Sequence, residues 1–158
     1  MDIYRIPRRE VPARVLVDDG RTLEGTLFTT ETGAGGRPED VLHRLNETDE
    51  DFVPLLSGGD RVLVNKSGII WVQLTGGAAR EIAGDAATGQ RVAVRLALAG
   101  GESLAGTLAI VMPLERSRVV DYLNAAGRFV PVFGAGTVTL VQRHHIVMAR
   151  SCDGPADI

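Results

Sequence analysis

The chain states one pattern twice. Val11, Arg14, Gly20, Leu23, Gly25, Thr26 and Leu27 return 81 positions later as Val92, Arg95, Gly101, Leu104, Gly106, Thr107 and Leu108. Val41, Leu45 and Asn46 return 78 positions on as Val119, Leu123 and Asn124. Phe52-Val53-Pro54, Leu63-Val64 and Ile69 return 77 positions on as Phe129-Val130-Pro131, Leu140-Val141 and Ile146. Matches that keep their order, with a shift that drifts by only four positions (81 to 77), imply two copies of one structural unit. The division that follows is an arm at 1–10, a first unit at 11–74, a linker at 75–90, a second unit at 91–150 and a tail at 151–158. Units of roughly 65–70 residues lie near the size at which a core sustains itself, so the two are expected to pack together as a pseudo-twofold pair.

Each unit has the same local reading. Val15-Leu16-Val17 and Val94 to Leu98 are apolar strands, each followed by a turn whose Gly20 or Gly101 supplies positive φ. Strands containing Gly25 and Gly106 come next. Short helices carry Val41, Leu42 and Leu45 in the first unit, and Val119, Val120 and Leu123 in the second. Asn46 and Asn124 fall at the helix ends, where a left-handed cap is expected. A strand at 52–56 and a hairpin at 61–74 follow, with counterparts at 129–133 and 137–149. The fold class is therefore mainly β (α+β), a duplicated ββ-α-βββ unit made of small antiparallel barrels.

Bulk properties narrow the function classes. A hydrophobic content of 44% with few charge runs describes a globular chain. A net charge of -3 disfavours a broad nucleic-acid or anionic-membrane surface. No apolar run nears the roughly 18 residues of a membrane helix. The first residues, Met-Asp-Ile-Tyr-Arg-Ile-Pro-Arg-Arg-Glu, lack the apolar stretch of a signal peptide, and Cys152 stands alone. A cytoplasmic protein is expected.

The stretch Val11-Pro-Ala-Arg-Val-Leu-Val-Asp-Asp-Gly-Arg-Thr-Leu-Glu-Gly-Thr-Leu resembles the first motif of Sm and Hfq-like proteins, a strand, a Gly turn and a strand of form x-Leu-x-Gly-x-Leu. Leu63-Val-Asn-Lys66-Ser-Gly-Ile69 and Leu140-Val-Gln-Arg143-His144-His145-Ile146 resemble the second motif. The resemblance implies small bent barrels and an RNA face on the basic turns, with Lys66, Arg143, His144 and His145 as its contacts. Two departures stand beside it. The helix between the second and third strands is extra, since Sm-type barrels carry theirs before the first strand. The uridine-pocket residues have no equivalent near Thr29 to Thr32 or Val111 to Leu114. Arg118-Val-Val-Asp121-Tyr-Leu-Asn124 also resembles the Arg-x-x-Asp-x-Leu-Asn helix of an uncharacterised bacterial domain family. Arg5-Ile-Pro-Arg8-Arg9 resembles the arm of PilZ domains, which bind cyclic di-GMP. The partner motif has Gly20 or Gly101 where that family needs Asp or Asn.

Catalytic and metal constellations are missing from the sequence. There is no Gly-x-Ser-x-Gly elbow, phosphate loop or His-Glu-x-x-His helix. His144 and His145, adjacent on a strand, would face opposite sides and could not easily share one ion, and no Cys or third His is near in sequence. The acidic run Glu47, Asp49, Glu50, Asp51 lacks the spacing of a calcium loop. No cofactor, metal or enzyme activity is expected. Arg14 and Arg95, matched charges on apolar strands, are expected to be structural or interface residues paired with Asp121 or another carboxylate. The leading expectation is a non-enzymatic protein-interaction or assembly module. RNA binding is second, and a PilZ-like dinucleotide sensor third.

Overall fold

The computed structural model describes residues 8–31, 38–113 and 118–152. Its first half holds β1 (Arg8–Val17), β2 (Thr22–Thr30), α1 (Val41–Asn46), β3 (Phe52–Ser57), β4 (Asp60–Asn65) and β5 (Ile69–Thr75). After α2 (Gly76–Asp85), the second half holds β6 (Gln90–Leu98), β7 (Ser103–Ile110), α3 (Val119–Ala125), β8 (Phe129–Phe133), β9 (Thr137–Gln142) and β10 (Ile146–Ser151). The strands follow the period-two rule. In β1, Val11, Ala13 and Val15 are buried while Pro12 and Arg14 between them are exposed. The turn glycines behave as expected, with Gly20 at φ +92° and Gly101 at φ +87°.

The ten strands of the described residues lie in one open, antiparallel sheet of order β10-β6-β7-β8-β9-β5-β1-β2-β3-β4. This differs from a pair of barrels related by a twofold. In a twofold pair the strands that meet at the seam would be equivalent. Here β9, fourth strand of the second half, meets β5, last strand of the first. The halves therefore run head to tail. Each nevertheless repeats the other's internal pairing: Arg14↔Gln73 matches Arg95↔Arg150, Phe52↔Asn65 matches Phe129↔Gln142, and Thr26↔Leu56 matches Thr107↔Phe133.

The seam is the best-buried part of the sheet, because it carries side chains on both faces. One core cluster joins Val15, Leu45 and Leu74 to Phe129 and Leu140; the other joins Leu16 and Ile70 to Val94, Leu108 and Val141. Neither half closes a core from its own residues. The stretch read as a linker carries α2, which packs on β5 and β9 through buried Ala79 and Ile82. Its Gly-Gly-Ala-Ala opening hides a helix that tertiary burial, not propensity, holds in place. Helix α1 lies across the seam against β8. Among the described residues no helix is long and apolar enough to cross a membrane.

Candidate interaction edges and the seam turns

The basic turns do not present themselves as two free cationic loops. Lys66 is fully buried, and its ammonium donates to the carbonyls of Arg44 (3.4 Å) and Glu47 (2.8 Å) at the end of α1. Arg143, its counterpart, donates to the carbonyls of Leu123 (3.0 Å) and Asn124 (3.2 Å) in α3. Both cations satisfy the orphan carbonyls of a helix C-terminus, where the macrodipole favours positive charge. The expectation of a nucleic-acid contact at Lys66 is therefore corrected: its charge is turned inward. A lysine in a sequence reads as solvated because burial normally costs it dearly; two carbonyl acceptors offset part of that cost here.

Burial lowers the Lys66 pKa below its ordinary value, Glu50 opposing the effect. Between that depressed folded-state pKa and 10.5 the unfolded chain binds the proton and the folded chain does not, so this group's contribution to stability rises with pH. Lys66→Met is expected to lower stability at neutral pH by about 1–3 kcal/mol, since the Glu47 carbonyl loses its short bond to Lys66 and the Arg44 carbonyl keeps only the Glu47 N–H. The variant should also lack the alkaline rise. Urea midpoints from neutral pH to 10.5 check both.

The two turns do meet. The His145 ring Nε2 lies 2.8 Å from the Ser67 carbonyl oxygen, and the Arg128 guanidinium donates to Ser67 Oγ at 2.7 Å. Gln142, buried in β9, donates across the seam to the carbonyls of Lys66 (2.8 Å) and Ile69 (2.6 Å). Arg128, Arg143, His144 and His145 thus line one surface cleft beside Ser67. Arg128 was not evident from the sequence, because the position 77 residues before it is Asp51.

Asn46 is not a left-handed cap; no non-glycine residue among those described has positive φ. Its side chain is a strut across the seam, accepting from the Phe129 N–H (2.7 Å) and donating to the Phe129 carbonyl (3.3 Å). Asn124, its counterpart in α3, is exposed. Arg14 and Arg95 are exposed; Arg14 pairs with its cross-strand neighbour Glu24 at 3.3 Å, and Asp121 is held by Arg118 instead. Gly25 and Gly106 are required by close approach. A Cβ on Gly25 would fall on the Leu56 carbonyl, and one on Gly106 would lie 2.5 Å from Val132 Cγ1.

Of the PilZ-like arm, Arg5, Ile6 and Pro7 lie outside the described residues. Arg9 makes a bidentate pair with Glu81, with a further bond to the Glu39 carbonyl. The acidic run is partly engaged, with Glu50 on Arg44 at 2.9 Å. Among the described residues no group of three or more His, Cys, Asp or Glu is placed to hold a metal ion. An apolar cleft of about 440 Å³ between the helices is lined by Leu42, Ile82 and Tyr122, with Asp40 and Asp85; burial and the neighbouring Asp85 raise the Asp40 pKa.

The two ends of the sheet stand out by their chemistry. No described strand pairs with the outer edge of β4 or of β10. Around β4, Phe52, Leu56, Val62 and Leu63 are exposed, Leu63 by 67%; on β10, Val147 is 65% and Met148 54% exposed. Edge strands commonly carry charge or proline that blocks pairing; these do carry charge at Asp60, Arg61 and Arg150, yet beside it exposed apolar side chains flank open backbone groups. No protein-family model, curated protein sequence or solved structure matches the chain.

Proposed function

We propose that the protein is a non-enzymatic interaction and assembly module, a tandem of two copies of one ββ-α-βββ unit that recruits partners by strand addition at the ends of its sheet. The observation that carries this reading is the pair of outer strands, β4 and β10, whose unpaired edges are flanked by large exposed apolar side chains. An extended partner strand would satisfy the backbone groups and cover the side chains in one step. The duplicated unit supports it too, because among the described residues the edges that a further repeat would cover are open. A photoreactive amino acid placed at Leu63 or Val147 in cells expressing the protein is expected to capture protein covalently, whereas one at Glu102, in an exposed turn, is not. Capture from neither edge would overturn the reading.

The convergence of Arg128, Arg143, His144 and His145 on one cleft favours RNA binding as a second reading. It is consistent with the Sm-like motifs, and α2 stands directly before β6, where Sm-type barrels carry their helix. Cations there would contact phosphate and an imidazole could stack on a base. His144 is the exposed member, so His144→Glu should weaken a salt-sensitive affinity for single-stranded RNA. Absence of binding at low salt would exclude it.

A further inference from the structure

We infer that the partner of these edges is a second copy of this chain, joined head to tail so that β4 of one copy pairs with β10 of the next. The inference rests on the reading of the outer strands as interaction surfaces and names their occupant. The template is inside the molecule. Strand β9 pairs with β5, and by sequence and pairing register β4 is the counterpart of β9 and β10 that of β5. The seam joins the very two kinds of edge that the ends of the sheet leave open.

Burial at equivalent positions differs according to whether a neighbour is present. Phe129 is 1% exposed and Phe52 is 52%; Leu140 is 0% and Leu63 is 67%; Ile70 is 3% and Val147 is 65%. Each buried member lies at the seam and each exposed member at an end. The helix strut shows the same contrast. Asn46 grips the Phe129 backbone across the seam, whereas Asn124 is exposed and its matching target, the backbone of Phe52, lies toward the opposite end of the sheet.

Carrying the β5·β9 register to the ends places Met148 opposite Val64 of the next copy, Ala149 opposite Leu63 and Arg150 opposite Val62. The charges agree with that docking. Arg150 comes diagonal to Asp60 of the next copy, within reach for a long side chain on the same face. Where Arg128 meets Ser67 at the internal seam, Asp51 would meet the His144 turn. The differences between the units thus put an acidic group against a basic one at the outer junction. A head-to-tail contact leaves both ends of the growing assembly competent, so it builds a closed ring or an open filament rather than a dimer.

The test uses the purified full-length chain and two charge blocks at exposed positions, Leu63→Glu and Val147→Glu. Light scattering should find the wild type as assemblies beyond a dimer, and each variant alone should lose them. An equimolar mixture of the two variants retains one intact β4 edge and one intact β10 edge. It should give a particle of twice the monomer mass and nothing larger. A wild type that stays monomeric at every concentration overturns the inference, as does a mixture that forms no dimer or a variant that assembles alone. The interaction reading would survive such a failure if the photoreactive residue at Leu63 captured a different protein in cells.

Discussion

Phe129→Ala is expected to cost the fold about 3–5 kcal/mol, while Phe52→Ala, the same substitution at the matching position, should cost no more than about 1 kcal/mol in dilute monomer. Phe129 is 1% exposed and packs with Leu45, Ile82 and Leu140, residues that come from α1, α2 and β9. Its truncation opens a cavity where three elements and both halves meet. Phe52 is half exposed, so its loss uncovers little that water does not already reach. Urea denaturation of the two variants checks the contrast. Equal losses would mean that the seam contributes no more than a sheet end.

The second large effect belongs to a residue without a side chain. Gly25→Ala should destabilise by about 3 kcal/mol or more, because the added methyl would sit on the Leu56 carbonyl of the neighbouring strand and backbone cannot swing aside as a side chain can. Gly106→Ala should behave alike, its Cβ meeting Val132 at 2.5 Å and the Phe133 carbonyl at 2.9 Å. Gly20 is the control. Its requirement is positive φ with open space around it, so Gly20→Ala should cost only about 1 kcal/mol. Thermal unfolding of the three variants would rank them.

Local pattern carried the strands, the short helices and the turn glycines, since alternation at Val11, Ala13 and Val15 and positive φ at Gly20 are properties of neighbouring residues. The order of strands was not legible in that way. That β9 pairs with β5 depends on two segments more than sixty residues apart in sequence, and nothing in either one's period says which edge it will meet. Lys66 illustrates the same limit in the site. Its type suggests solvent, and only the position of α1, whose last carbonyls need a donor, turns it inward. Asn46 was read as a helix end because Asn tolerates left-handed geometry; its amide instead matches the two backbone groups of Phe129, 83 residues away. Helix α2 was hidden by its glycines, since what stabilises it is the pocket that receives Ala79 and Ile82.

Hydrogen exchange read strand by strand at several protein concentrations tests the head-to-tail sheet most directly. Amides of β5 and β9 should be among the slowest at every concentration, being paired on both sides. Those on the outer edges of β4 and β10 should exchange fast at high dilution and slow together as the concentration rises. Exchange at β4 and β10 that stays the same at all concentrations would contradict it.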